Sequence, residues 1–185
     1  EERFVVSTYG TGVRPKIETG ISSAFRLWKG PGNIAIRNLE IQASGRNPES
    51  VEFAGWGQLS NPTGVSIGVD SNSVLLEGNT ISYYGNNIIV ISPNPHADIV
   101  IRKNHVHSAY SETAHSQGLF ARYTSILLEE NIFDHNGWSK QNPTGSQGSK
   151  DEGAATMFNH NIYLEGTRSS IIRNNIFSRA SSIGM

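Results

Sequence analysis

The chain contains no cysteine, which excludes a small scaffold stapled by disulfides. Charge is also sparse: 17% of the residues are Asp, Glu, Lys or Arg, and 16 acidic against 15 basic side chains leave a net charge of −1. That balance provides no basic footprint for a phosphate backbone or an anionic bilayer. No apolar run approaches the length of a membrane-spanning helix, so neither nucleic acid nor membrane is an expected partner. Residues Glu1-Glu2-Arg3-Phe4-Val5-Val6 carry neither the basic n-region nor the apolar h-region of a signal peptide, so a secreted form, extracellular or periplasmic, is expected to have lost its signal. Ser, Asn and Gly stand where Lys and Glu are missing, a bias that disfavours helices. At 185 residues, 36% of them hydrophobic, the chain is long enough to bury one substantial core.

A repeat organises the sequence. The pattern apolar-x-apolar-x-x-Asn-x-apolar reads Val74 to Ile81, Ile99 to Val106, Ile126 to Phe133 and Ser170 to Phe177, and a variant read as one residue shorter, Ile34 to Ile41, precedes them. Alternation of period two predicts short strands, and Asn suits the bend because its side chain bonds neighbouring backbone and tolerates left-handed dihedrals. Second strands lie between the copies at Val65 to Val69, Ile89 to Ile91, Leu119 to Ala121 and Ile162 to Leu164. The marker residues Asn79, Asn104 and Asn131 are 25 and 27 residues apart, a period that fits the coil of a β-solenoid. Strands this short bury an apolar face only by stacking on the next coil. Asn38, Asn79, Asn104, Asn131 and Asn175 are then expected to stack as an internal amide ladder.

With this stacked-Asn repeat, and with Ser7-Thr8-Tyr9-Gly10-Thr11-Gly12-Val13-Arg14-Pro15 looking like an early coil, the chain resembles the right-handed parallel β-helix superfamily, the pectate-lyase-like fold, over nearly its whole length. The fold expected is all-β, one parallel β-helix domain over residues 1–185 that is incomplete at both ends. Further coils or an end-to-end partner are expected to cover the open ends, because an uncapped solenoid exposes edge strands.

Insertions mark one corner. Asn38 to Asn79 spans 41 residues and Asn131 to Asn175 spans 44, and the excess falls both times after the Asn strand, at about residues 42–64 and 134–161. A smaller excursion, 107–118, lies between them, while the coil at 82–87 is tight. Insertions on one face of a solenoid often build its binding face, so two walls and a lower middle describe a groove. Its candidate lining is Trp56 from the first wall, Tyr110, Glu112 and His115 from the middle, Trp138 and Lys140 from the second wall, and Tyr83 and Tyr84 as floor. Such aromatics beside polar side chains suit stacking on sugar rings; the alternative is that Trp56 and Trp138 each pin their own loop. Lys150, Asp151 and Glu152 are further loop candidates for an anionic sugar or a metal.

Register sharpens the polar candidates. If Ile81, Val106, Phe133 and Phe177 point inward, then Ser82, His107, Asp134 and Ser178 point outward in one row. At an ordinary strand spacing of about 4.8 Å, His107 and Asp134 are neighbours, and a carboxylate beside an imidazole is expected to raise its pKa. Ser108, His135 and Arg179 form a second row at the turn. On the second strand Tyr163 and Glu165 point outward with Arg122 opposite Glu165, and His160 closes the long loop. The Asn159-His160-Asn161-Ile162-Tyr163 segment is similar to one that follows such a loop in secreted β-helix proteins, and the resemblance implies that His160 faces substrate.

The resemblance implies a carbohydrate-active protein. The sequence lacks the Asn-Thr-Asp and Gly-His-Gly of polygalacturonases, the Trp-Ile-Asp-His of pectate lyases and the Asp-Pro-His-Asp of mannuronan epimerases. Hydrolysis needs paired carboxylates, and the groove has few. The expected activity is therefore a polysaccharide lyase on a uronate glycan, with His107, His135 and His160 as base candidates, Asp134 orienting, and Arg179 or Lys140 neutralising charge. Tyr83, Tyr110, His115, Trp56, Trp138 and Tyr163 are the expected sugar contacts. The alternatives are a glycoside hydrolase of the same fold, a noncatalytic glycan-binding β-helix and a structural solenoid; a convergent histidine cluster favours the enzyme and dispersed histidines favour binding. Calcium is the one cofactor considered, although the sequence assembles no oxygen-rich set of about six to eight ligands.

Overall fold

The structure is a computed structural model that describes residues 2–29, 32–55, 60–69, 71–93, 98–111, 114–138, 159–167 and 169–182. Among the described residues three sheets hold all the strands, every strand pairing is parallel, and a single 3-10 turn, Ser44–Arg46, interrupts them. The first sheet stacks Phe4–Val6, Ile34–Arg37, Val74–Glu77, Ile99–Arg102, Ile126–Glu129 and Ile171–Arg173. The second stacks Lys16–Glu18, Glu40–Gln42, Thr80–Ser82, His105–His107, Ile132–Asp134 and Ile176–Ser178. The third stacks Phe25–Leu27, Thr63–Ile67, Asn86–Ile91, Gln117–Arg122 and His160–Glu165. The chain visits the three sheets in turn and returns one strand higher, an all-β, parallel β-helix-like architecture. Among the described residues no helix is long and apolar enough to cross a membrane.

Period-two alternation decides what is inside. Ile36, Leu76, Ile101 and Leu128 of the first sheet meet Ile41, Ile81, Val106 and Phe133 of the second and Ile67, Val90, Leu119 and Ile162 of the third in one buried core. Stacking like on like packs Phe133 against Phe177 with ring centroids 5.5 Å apart. On the outside of the first sheet Glu77 accepts from both Arg37 and Arg102 at 2.8 Å.

Each repeat copy is therefore two strands from different sheets with a bend between them. At that bend Gly78, Lys103, Glu130 and Asn174 have positive φ, a strained region for residues other than Gly, and the next residue is the marker Asn. Asn79 donates from Nδ2 to Asn104 Oδ1 (3.1 Å), Asn104 to Asn131 Oδ1 (3.0 Å), and Asn131 to Asn175 Oδ1 (2.9 Å). Each Oδ1 also accepts the backbone N–H of the Asn below. Asn38 does not join this series. Ile36 pairs with Leu76 and Ile41 with Ile81, so the first copy has full length, and Asn38 takes the left-handed position (φ 56°) that Gly78 takes above. Leu39 stands in the Asn position and donates only its backbone N–H to Asn79 Oδ1 (3.1 Å).

The connections over 42–64, 107–118 and 134–161 all run from the second sheet to the third. Tyr83, Ser108, His135 and Arg179 take positive φ at this corner. A second amide series, absent from the sequence reading, lies behind them: Asn87 donates to Asn136 Oδ1 (3.2 Å) and Asn136 to Asn161 Oδ1 (2.9 Å), all three fully buried. Arg46, 1% exposed, ties down the first loop by donating to the carbonyls of Tyr83 (2.7 Å), Ser60 and Tyr110.

Candidate functional site

The sequence-predicted residues divide between two faces. On the second sheet His107 pairs in register with Asp134, but the imidazole and the carboxylate do not bond each other. Asp134 accepts from Arg179 Nε (2.9 Å) and Nη2, and this pairing holds its carboxyl below the usual range. His107 Nδ1 lies 3.0 Å from Ser108 Oγ, and its ring lies 4.5 Å from that of His105. Burial pushes the His107 pKa down to about 4, helped by His105, His135 and Arg179 and opposed by Asp134. The expected rise is thus reversed: Arg179 has taken the carboxylate, and desolvation of the imidazolium outweighs what attraction is left.

That reversal has a consequence for stability. The unfolded chain binds a proton at His107 near the ordinary imidazole value of 6.5, and the folded chain only at about 4. The unfolded state therefore holds the extra proton between these values, and stability falls as pH drops through that window, levelling below it. The loss across the whole window is of the order of 3 kcal/mol. Urea melts of the parent and of His107→Gln at several pH values should give a shallower loss for the variant between pH 6.5 and 4; parallel curves would remove His107 as the cause.

The same corner accounts for other expected sugar contacts. Trp138 stacks on His135 (5.6 Å, 9°) and donates from Nε1 to Arg179 O (2.8 Å), so it pins its own loop. Tyr83 is half-buried, presents its ring edge to His107 (5.8 Å), and has its pKa raised by burial and then by Glu49. Tyr84 is fully buried and close to Thr19 Oγ1 (3.0 Å). Tyr110, 3% exposed, lies under the Arg46 guanidinium (4.3 Å) and donates from Oη to Arg46 O (2.5 Å), which corrects its reading as a groove residue. A loop aromatic next to a buried cation is worth more as its cover than as an open platform. Trp56, Glu112, Lys140, Lys150, Asp151 and Glu152 lie outside the described residues.

The second face is the outside of the third sheet, where a cavity of about 460 Å³ opens. Its floor is aromatic. Phe120 and Tyr163 are register partners with rings 5.9 Å apart, and His160 stacks on Tyr163 at 5.4 Å and 16°. Asn86 and Gln117 supply amides, and His115 and Glu165 complete the lining. The amides fix the strand ends: Gln117 Oε1 accepts His160 N–H (2.8 Å), and Asn86 Oδ1 accepts Gln117 N–H (3.1 Å). Glu165 pairs with Arg122 (3.2 Å), whose Nη2 also donates to Tyr123 Oη (3.0 Å). Among the expected residues this face unites His160, Tyr163 and His115. The sequence reading missed Phe120, Asn86 and Gln117, although Phe120 occupies the outward position between inward Leu119 and Ala121 and was recoverable from alternation alone.

Chemically, the cavity offers flat rings for stacking, amides for hydroxyl groups, an imidazole stacked on a phenol and, among the described residues, one carboxylate. No group of three or more His, Asp or Glu among the described residues is arranged to hold a metal ion. No family model matches this chain, and no curated protein or solved structure matches it either.

Proposed function

We propose that this chain is a right-handed, pectate-lyase-like β-helix from a secreted carbohydrate-active protein, and that the outer face of its third sheet is a polysaccharide lyase site for a uronate glycan. The observation that carries the reading is the stacked His160–Tyr163 pair at the edge of an open cavity of about 460 Å³. A pyranose ring lies against Phe120 and Tyr163, with its hydroxyl groups bonded to Asn86 and Gln117. His160 removes the proton from the carbon α to the uronate carboxylate. That electron pair forms the new carbon–carbon double bond as the bond to the glycosidic oxygen breaks, and Tyr163 Oη protonates the departing oxygen. His160 then gives its proton to solvent and Tyr163 takes one from it, which resets the pair. His115 lines the same cavity and hydrogen-bonds the carboxylate. With one carboxylate among the described lining residues, a two-acid hydrolytic mechanism has less support.

A noncatalytic glycan-binding role is the second reading, favoured by the division of the histidines between two faces and by the commitment of Arg122 to Glu165. The deciding experiment incubates the protein with alginate, pectate and other uronate polymers and follows the ultraviolet absorbance of new unsaturated ends. Rising absorbance with matching reducing ends supports the lyase. Retention on immobilised polymer with flat absorbance supports binding alone, and neither result overturns both.

A further inference from the structure

The outer row of the third sheet extends well beyond the cavity. Register places Arg26, Ser66, Ile89, Phe120 and Tyr163 side by side on five consecutive strands. Four strand steps of about 4.8 Å put Arg26 roughly 19 Å from Tyr163. Two residues on, just past the end of the Phe25–Leu27 strand, Trp28 is 42% exposed. Its position is built rather than incidental. The indole lies flat over Gly68, where an added Cβ would come within 2.5 Å of three ring atoms, and Nε1 donates to Ser66 Oγ (2.9 Å). The Arg26 guanidinium sits over this ring, 4.8 Å from its centroid.

Arg26 is exposed and has no carboxylate or hydrogen-bond acceptor among the described residues. The other arginine on the strands of this sheet, Arg122, is bound to Glu165. Stacking on an indole holds a guanidinium by its face and leaves its in-plane N–H fork open, the geometry that binds a planar carboxylate through two parallel hydrogen bonds.

We propose that Arg26 and Trp28 form a distal carboxylate subsite, so that the ligand is an acidic oligosaccharide of about five units lying across all five strands of the third sheet. This rests on the glycan-lyase or glycan-binding reading of the cavity at its other end. A strand step is close to the length of one pyranose unit, so successive sugars meet Tyr163, Phe120, Ile89, Ser66 and Arg26 in order. The ligand's carboxylates need one fixed cationic partner, and Arg26 provides it far from the reacting bond.

The test is calorimetric titration of the protein with uronate oligosaccharides from two to six units, beside neutral oligosaccharides of equal length. In the parent, affinity is expected to rise steeply as the oligomer reaches five units. In Arg26→Gln that rise should vanish, a loss of about tenfold or more for the longer oligomers, and Arg26→Lys should restore only part of it. Trp28→Phe, which keeps a ring beneath the guanidinium but loses the bond to Ser66, should give an intermediate loss, with unchanged thermal midpoints showing that the variants remain folded. If uronate oligomers bind but the rise with length survives in Arg26→Gln, the distal subsite is wrong while the cavity reading stands. If the parent binds no uronate oligomer of any length, both fall together.

Discussion

Asn104→Ala is expected to remove about 3–5 kcal/mol of stability, a large share of the roughly 5–15 kcal/mol that holds a domain of this kind together. Asn104 is 2% exposed, so water cannot replace what its side chain does. Oδ1 accepts the backbone N–H of Asn79 (2.9 Å) and its Nδ2 (3.1 Å). Its own Nδ2 serves Leu76 O (3.0 Å), Arg102 O (2.9 Å) and Asn131 Oδ1 (3.0 Å). Alanine strands these groups in three coils, and each buried group left without a partner costs about 1–3 kcal/mol. The same substitution at Asn175 is the internal comparison. That side chain donates to Leu128 O and Arg173 O and accepts from Asn131, but it is only half-buried, and solvent can take over part of its role. A loss of about 1–2 kcal/mol is expected there. Urea denaturation of both variants measures the difference; equal losses would mean that burial of the amide series does not set its worth.

What the sequence reveals follows from what each signal depends on. Strand alternation and the returning Asn depend on local geometry repeated in every coil, so the core residues Ile81, Val106 and Phe133 and the outward pair His107 and Asp134 were legible. The assignment of Asn38 failed because one residue type serves two adjacent needs: a left-handed bend, which Asn38 meets with φ 56°, and a side-chain bridge between coils, which Asn79 meets. The series Asn87, Asn136 and Asn161 escaped notice because its members come from two strands and a loop, with no shared local pattern to align them. Charge was less legible still. Register brings His107 beside Asp134, but the state of the imidazole depends on how far Arg179 reaches and how much water is displaced. Tyr110 shows the same limit, since nothing in its own loop announces the guanidinium of Arg46, which is distant in sequence.

His160→Ala should lower the rate of unsaturated-end formation by about 10²–10⁴-fold, the usual weight of a positioned general base, with a smaller change in KM because the sugar's stacking surface stays in place. Tyr163→Phe separates the two duties assigned to that residue. The ring that stacks with Phe120 at 5.9 Å and with His160 at 5.4 Å is retained, while the proton donor is removed, so kcat should fall and KM should hold. Tyr163→Ala removes the platform as well, and KM should then rise alongside the fall in kcat. Loss of either proton carrier alone should stop most turnover, so the double variant His160→Ala/Tyr163→Phe is expected to be little slower than the slower single variant, the non-additivity of groups that act as a unit. His107→Gln is the control on the opposite assignment: its ring is on the second sheet with its pKa near 4, a poor proton acceptor at neutral pH, and its loss should leave turnover unchanged in protein that remains folded. Full activity in His160→Ala, or its disappearance in folded His107→Gln, would move the chemistry off the third sheet and onto the corner held by Asp134 and Arg179.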